Sequence, residues 1–169
     1  MELFDLSGRV AIITGSTKGI GKAIAARMCQ HGAKVVISSR KADACEAVTA
    51  EINRDFAANG GEAISIPAHV GIEDELRNLV DKTLDKWGKI TTLVPNAAAN
   101  PYYGPSAEMP DSAFEKIWEV NVKSVFKLCH MVLPGMVEAG SGSITIIASN
   151  SGLKGSVELC GYAISKVAE

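Results

Sequence analysis

Tyr162 and Lys166 have the types and the spacing of an acid–base pair. They stand at positions i and i+4, so on a helix they share one face. A free phenol, with a pKa of about 10, is a poor acid or base at neutral pH, but a nearby ammonium stabilises its phenolate form. Ser149, thirteen residues earlier, supplies a hydroxyl that can hydrogen-bond a carbonyl oxygen. Together the three side chains predict proton transfer to a carbonyl or from an alcohol, whereas the pair alone could also be a solvated helix surface.

A second group of residues has the pattern of a phosphate-binding turn. The segment Thr14-Gly15-Ser16-Thr17-Lys18-Gly19-Ile20-Gly21 follows a short apolar run and precedes a helical pattern. Such a turn between a strand and a helix lets free backbone N–H groups and the helix dipole hold a phosphate. Its glycines suit a tight turn, close approach of the backbone to a pyrophosphate and close helix–strand packing. A βα loop that is glycine-rich for other reasons is the alternative.

The elements that must position these groups alternate between strands and helices. Apolar runs predict strands, and helical periodicity predicts helices between them. The predicted strands are 10–13, 34–39, 63–70, 89–96 and 144–149. The first predicted helix follows the glycine turn. The other predicted helices cover 42–58, 73–87, 111–138 and a stretch from about 161. This alternation implies parallel βαβ units in one doubly wound α/β sheet. Because Pro67 cannot donate to a sheet ladder, the third strand should lie at an edge, which favours the strand order 3-2-1-4-5 within a single domain of residues 1–169.

Composition excludes several classes of protein. The 169 residues are 47% apolar and 21% charged, with a formal net charge of -2. That balance gives no electrostatic case for nucleic acid or an anionic membrane, and no apolar run approaches the roughly 18 residues of a membrane helix. The four cysteines have no CxxC spacing, so neither a zinc site nor a disulfide framework is expected. We expect a cytoplasmic protein with a small-molecule substrate and without metal, nucleic-acid or membrane partners.

In combination, these motifs resemble the short-chain dehydrogenase/reductase family along the whole sequence. The glycine turn is similar to the family's cofactor motif, and Asn96-Ala97-Ala98 is similar to its NAG segment after the fourth strand. The next segment, to Asn100-Pro101, is similar to that of a carbonyl-reductase-like branch. Asn121 stands where the family keeps a helix asparagine that anchors a proton-relay water. Ser149, Tyr162 and Lys166 match the remaining catalytic positions.

The resemblance implies a Rossmann-like fold and a reaction. Tyr162 would be the acid and base, Ser149 would orient the substrate, and Lys166 would bind the nicotinamide ribose and assist the tyrosine. The reaction would be hydride transfer between a nicotinamide and a carbonyl or secondary alcohol carbon. The residues expected to contact the cofactor lie in the glycine turn, at the strand ends and on the last helix: Gly15, Thr17, Lys18, Gly19, Ile20, Gly21, Ser39, Arg40, His69, Val70, Asn96, Ala97, Ala98, Tyr162 and Lys166.

Charge at the end of the second strand favours NADP(H) over NAD(H). An acidic residue there would bind the ribose 2′-hydroxyl of NAD, whereas an arginine accommodates a 2′-phosphate. Here the strand ends in Ser38-Ser39-Arg40, and Lys18 adds a second cation from the glycine turn. Arginine also has the fork geometry for bidentate phosphate contact. The alternative is that Arg40 merely begins a solvated helix.

Two positions depart from the family pattern. His69 replaces the aspartate that usually caps the adenine amino group, so it either contacts the base or is an exposed loop histidine. Pro95 replaces the first asparagine of the usual NNAG segment and removes a backbone donor at a strand end.

The resemblance also implies a C-terminally truncated member. The sequence stops three residues after Lys166, where relatives continue with strands six and seven and most of the substrate pocket. A truncated, non-catalytic cofactor-binding or interaction module is therefore the alternative function. Relatives form dimers or tetramers through the long helix and the tyrosine helix, which makes a homo-oligomer an expectation here.

Overall fold

Five parallel strands form one sheet in the computed structural model, which describes residues 3–169. The strands are β1 (Val10–Thr14), β2 (Lys34–Ser38), β3 (Glu62–Ser65), β4 (Thr92–Val94) and β5 (Ser143–Ile144). Their order in the sheet is β3-β2-β1-β4-β5. The predicted doubly wound sheet and its strand order are therefore confirmed.

Helices connect the strands and cover both faces of the sheet. They are α1 (Gly19–Gln30), α2 (Ala42–Phe56), α3 (Glu73–Trp87), α4 (Asp111–Ile117), α5 (Ser124–Glu138) and α6 (Cys160–Ala168). Shorter 3₁₀ turns occupy Ala57–Asn59, Ser106–Glu108 and Asn150–Gly152. Because all the strands are parallel, the carboxyl ends of β1 to β5 meet at one edge of the sheet, where the loops that carry the candidate residues begin.

The apolar strands divide their side chains between two cores. Ile12, Val36 and Leu93 face a buried cluster with α3 and α5, while Ile13 and Val35 face a second cluster with α1 and α2. Burial on both faces explains why the strands are nearly continuous runs of apolar residues, as in other parallel sheets covered by helices.

The third strand lies at the sheet edge as expected, but it is shorter than predicted. Regular pairing ends at Ser65. Beyond it, the Ile66 N–H donates to the Ile37 carbonyl at 3.1 Å and the Ala68 N–H donates to the Ser39 carbonyl at 3.0 Å. Pro67 falls between these two donors, so its missing N–H removes no bond to β2.

The fourth and fifth strands are also shorter than the predicted ranges 89–96 and 144–149. Single backbone bonds continue their pairing, from Thr145 N–H to Leu93 and from Ile147 N–H to Pro95. Pro95 thus loses a donor but keeps its carbonyl in the ladder. The extended chain carries Ser149 to the carboxyl edge.

A π-helical segment lies within the helices predicted over 111–138. Trp118–Lys123 separates α4 from α5 and contains the buried Asn121. π-Helical turns are rare and occur frequently at functional sites, because the extra residue per turn re-aims a side chain.

Candidate active site

The glycine turn folds tightly against the end of β4. Gly15 and Gly19 hold the left-handed backbone, with φ of +66° and +55°. A Cβ on Gly21 would lie 2.5 Å from the Asn96 Nδ2 atom and 2.6 Å from the Gly15 carbonyl oxygen, so only glycine fits there. A Cβ on Gly19 would meet no atom within 4 Å. The turn is therefore tightly packed at Gly21 and open at Gly19. This arrangement fits a cradle for a phosphate at the start of α1.

Asn96 and Thr14 lock this turn to its neighbouring strand. The Asn96 side-chain amide donates to the Thr14 carbonyl at 2.9 Å and to the Gly15 carbonyl at 3.2 Å. The backbone N–H groups of Asn96 and Ala97 both donate to the Thr14 hydroxyl at 3.0 Å. From the sequence, Asn96 was expected to contact the cofactor, and Thr14 was given no role. A hydroxyl at the end of a central strand can nevertheless accept hydrogen bonds from backbone N–H groups of the neighbouring strand.

A buried serine joins the turn to the end of β2. The Ser16 hydroxyl donates to the Ile13 carbonyl at 2.7 Å and accepts the Ser38 N–H at 2.9 Å. The turn and the Ser39–Arg40 segment therefore share one edge. Lys18 and Arg40 are exposed, and neither side chain forms an ion pair or a hydrogen bond with another residue of 3–169. This edge thus carries two cations that are available to a ligand.

Lys166 ties the tyrosine helix to the strand extension that ends in Ser149. Its ammonium donates to the Ile147 carbonyl at 3.1 Å and to both carboxylate oxygens of Glu169 at 2.7 Å. The Nζ atom lies 5.7 Å from the centroid of the Tyr162 ring. The ammonium is almost fully buried, and its ion pair with Glu169 offsets the loss of water. No sequence argument anticipated the Glu169 contact.

The Ser149 hydroxyl proton has no strong hydrogen-bond acceptor among residues 3–169. Its oxygen accepts the Ser151 N–H at 3.1 Å, while its closest acceptor, the Asn150 side-chain oxygen, is 3.5 Å away. That distance is too long for a strong O–H···O bond. The loop that follows packs on α6, since a Cβ on Gly152 would lie 2.6 Å from the Lys166 carbonyl oxygen. Ser149 and Tyr162 thus lie on elements that are in contact, without a hydrogen bond between them.

Asn121 joins the loop after β4 to the tyrosine helix. Its side-chain oxygen accepts the Ala99 N–H at 2.8 Å, and its amide donates to the Ala99 carbonyl at 3.1 Å and to the Ser165 hydroxyl at 2.9 Å. The Ser165 hydroxyl in turn donates to the Tyr162 carbonyl at 2.7 Å. The Asn121 side chain is thus a buried clamp, and its implied part in a proton relay stays a prediction. Ser165 was given no role from the sequence.

Removing the Ser165 hydroxyl should loosen this clamp. In Ser165→Ala the Asn121 amide keeps the Ala99 carbonyl but leaves one N–H buried without an acceptor, which lowers stability by about 1–3 kcal/mol. Denaturant unfolding measures this loss, and Ser165→Thr should restore part of it by returning the hydroxyl. The matched control is Ser112→Ala, an exposed serine on α4. Equal stability of Ser165→Ala and the parent chain would contradict the clamp.

His69 and Val70 follow the edge strand, and the His69 ring faces α4. The His69 N–H donates to the Glu75 carboxylate at 2.6 Å, and its Nδ1 atom accepts the Gly71 N–H at 3.0 Å. Its Nε2 atom lies 3.3 Å from the Nζ atom of Lys116. Two hydrogen bonds therefore hold His69 in place, so it is not a free loop residue. Lys116 was missed because it lies far away in sequence.

The two other tyrosines are poor candidates for the acid–base role. Partial burial, and then the Glu108 carboxylate, raise the pKa of Tyr102. A hydrogen bond to the Glu158 carboxylate raises the pKa of Tyr103. Both shifts move the phenol away from neutral pH. Tyr162 is the tyrosine with an ammonium beside its ring.

All four cysteines are free thiols, and burial raises the pKa of Cys29 and Cys129. Within residues 3–169, no three His, Cys, Asp or Glu side chains are grouped as metal ligands. In the same part of the chain, every helix is too short or too polar to cross a bilayer.

Comparison with known proteins gives a consistent family. A family model described as short chain dehydrogenase matches residues 9–169. The "Dehydrogenase/reductase SDR family member 4" of Caenorhabditis elegans is 39% identical over 160 residues, which cover 94% of this chain and 60% of the relative. The chain thus spans about 60% of the length of such curated relatives.

Two solved structures share the fold over nearly the whole chain. A 7 alpha-hydroxysteroid dehydrogenase complexed with NADH and 7-oxo glycochenodeoxycholic acid has a TM-score of 0.88 at 36% identity and covers 98% of this chain and 62% of its own. An alcohol dehydrogenase from Thermococcus sibiricus complexed with 5-hydroxy-NADP has a TM-score of 0.87 at 25% identity and covers 95% of this chain and 66% of its own.

Proposed function

Because the chain belongs to the short-chain dehydrogenase/reductase family, we propose that it transfers hydride between a nicotinamide dinucleotide and a carbonyl or secondary alcohol. The observation that carries this proposal is the position of the Lys166 ammonium, 5.7 Å from the Tyr162 ring and hydrogen-bonded to the strand extension that leads to Ser149. When bound, the nicotinamide supplies the hydride donor or acceptor. The glycine cradle at the same sheet edge fits the dinucleotide phosphates.

Each polar side chain then has one task. The Ser149 hydroxyl donates to the substrate oxygen and holds it in place, since that proton has no strong acceptor among residues 3–169. The Tyr162 hydroxyl donates its proton to the same oxygen in carbonyl reduction and takes it back in alcohol oxidation. The Lys166 ammonium, which lies 5.7 Å from the Tyr162 ring and donates to the Ile147 carbonyl, holds the tyrosine helix against the strand extension that leads to Ser149.

For the cofactor, the proposal includes a preference for NADP(H). Lys18 and Arg40 are exposed beside the glycine turn and the end of β2, and neither is neutralised by a carboxylate within residues 3–169. A 2′-phosphate would gain two cationic partners there, whereas the 2′-hydroxyl of NAD(H) would leave both cations unused.

Reversing the charge at Arg40 should reverse this preference. In Arg40→Asp we expect the Kd for NADPH to rise about 10–100-fold and the Kd for NADH to fall, because a carboxylate repels the 2′-phosphate and accepts the 2′-hydroxyl. Fluorescence titration with each dinucleotide measures both constants. Lys89→Asp, which makes the same charge change just before β4 at the opposite sheet edge, is the control. A Kd ratio unchanged in Arg40→Asp would refute the NADP(H) preference.

One experiment separates the enzyme from its alternative. NADPH is titrated into the purified chain, and the loss of nicotinamide absorbance is then followed with simple ketones. Ketone-dependent oxidation of NADPH supports the proposed reaction, while tight NADPH binding without turnover of any ketone or alcohol supports a non-catalytic cofactor-binding or interaction module. If neither NADPH nor NADH bound, the proposed reaction and the cofactor-binding module would both be overturned, and the interaction module would remain.

Two broader expectations also belong to this proposal. Four free thiols suit a reducing compartment, which supports a cytoplasmic location. Phe126, Leu133 and Val137 are exposed along one face of α5, and their apolar surface supports association into a homo-oligomer. Light scattering of the purified chain would test the second point.

A further inference from the structure

The imidazole of His69 can be assigned a tautomer from its contacts. The Gly71 N–H donates to Nδ1 at 3.0 Å, and a backbone N–H has no other role than donor. Nδ1 must therefore carry its lone pair, and the neutral ring carries its proton on Nε2. His69 thus presents a donor on the side that faces α4.

Two donors face each other at this point without an acceptor between them. The Nε2 atom lies 3.3 Å from Nζ of Lys116, and an ammonium can only donate. Lys116 forms no ion pair with any residue in the part of the chain described. The Glu75 carboxylate already accepts the His69 backbone N–H at 2.6 Å. An acceptor atom from a ligand would satisfy both donors at once.

The donor pair lies where the base of the proposed dinucleotide must be. Residues 66–68 run beside the end of β2, through the bonds from Ile66 to Ile37 and from Ala68 to Ser39. A dinucleotide with its phosphates on the glycine turn and its ribose at Arg40 therefore reaches residues 68–70 with its base. This step rests on the proposed function. The Val70 N–H, which has no partner among residues 3–169, adds a third donor.

We infer that this subsite recognises the acceptor atoms of a purine and takes a 6-oxopurine at least as readily as adenine. Adenine carries a donor amino group at position 6 beside the N7 acceptor, whereas a 6-oxopurine carries acceptors at both positions. An amino group directed at the His69 and Lys116 donors would accept from neither and leave N7 as the one acceptor at that edge of the base, while a carbonyl oxygen would accept from both. The subsite therefore offers donors and selects a base with acceptor atoms. An aspartate in place of His69 would instead select a base with a donor.

Binding constants for two matched dinucleotides test the inference without relying on turnover. Deamino-NADPH, which carries hypoxanthine in place of adenine, and NADPH are each titrated into the chain by calorimetry. We expect deamino-NADPH to bind between equally well and about tenfold more tightly. His69→Asp installs an acceptor and should reverse the order, so that NADPH binds about tenfold more tightly.

A second variant keeps the test independent of any misfolding caused at His69. Lys116→Met removes one donor and keeps the length of the side chain, so it should weaken deamino-NADPH severalfold more than it weakens NADPH. Lys123→Met is the control, because Lys123 pairs with Glu119 at 3.1 Å. The inference is overturned if deamino-NADPH binds the parent chain more weakly than NADPH does. It is also overturned if Lys116→Met leaves the ratio of the two Kd values unchanged. If neither dinucleotide binds the parent chain, the proposed function fails and the inference falls with it.

Discussion

Replacing Tyr162 by phenylalanine is expected to lower kcat for ketone reduction by roughly 10²–10⁴-fold while leaving the Kd for NADPH unchanged. The substitution removes the proton donor and nothing else. No residue in 3–169 hydrogen-bonds the Tyr162 hydroxyl, so its loss leaves no buried group unpaired. The ring and its contact with the Lys166 ammonium remain. Steady-state kinetics, NADPH titration and thermal unfolding on the same sample separate these effects.

Tyr102→Phe is the matched control for this experiment. It deletes the same atom from a tyrosine whose hydroxyl donates to the Pro105 carbonyl at 2.9 Å, within the loop after β4. We expect kcat to change little there. If Tyr162→Phe retained the parent kcat, the proton would have to come from another group, and the assignment of Tyr162 as acid and base would be wrong.

Gly21→Ala is expected to abolish measurable NADPH binding and to lower the free energy of unfolding by about 1–3 kcal/mol. The added Cβ would lie 2.5 Å from the Asn96 amide nitrogen and 2.6 Å from the Gly15 carbonyl oxygen. Neither neighbour can move freely, because the Asn96 amide donates to the carbonyls of Thr14 and Gly15. Relieving the overlap must therefore displace the turn that cradles the phosphates.

A helix glycine with open space provides the control. Gly135 lies inside α5, and a Cβ there would meet no atom within 4 Å. Gly135→Ala should therefore keep NADPH binding and raise stability by up to about 1 kcal/mol, since alanine is the better helix former. Denaturant unfolding and NADPH titration compare the two variants. Parent-like binding by Gly21→Ala would show that the close approach of Asn96 is not required.

The effect of each of these substitutions depends on contacts between elements. The glycine turn owes its shape to Asn96, which follows another strand, and Lys166 owes its position to Ile147. The site is therefore assembled from residues that follow all five strands, and a change in any one part should be measurable in another.

Several features of the fold were predictable from the sequence because they depend on neighbouring residues. Apolar runs and helical periodicity placed the five strands and the regions of the α-helices, and Pro67 placed the third strand at an edge. The lengths of the strands were less predictable. β5 ends at Ile144 because its regular pairing depends on β4, whose regular part ends at Val94.

The π-helical segment shows why a helical pattern does not determine the type of helix. The periodicity of 111–138 is apolar enough for one long helix, yet Trp118–Lys123 takes the wider turn. This turn accompanies the bonds of Asn121 to Ala99 and to Ser165, the second of which lies 44 positions away. No local preference could reveal a partner at that distance.

By itself, the sequence determined the fold class, the order of the strands and the residue types that carry the chemistry, since periodicity, turn residues and motif spacing act over a few positions. Only the tertiary structure decided which groups those residues meet. The Thr14–Asn96 lock, the Asn121–Ser165 clamp and the His69–Lys116 donor pair join residues 82, 44 and 47 positions apart. Such partners are selected by the packing of helices on a sheet, and packing depends on the whole chain at once.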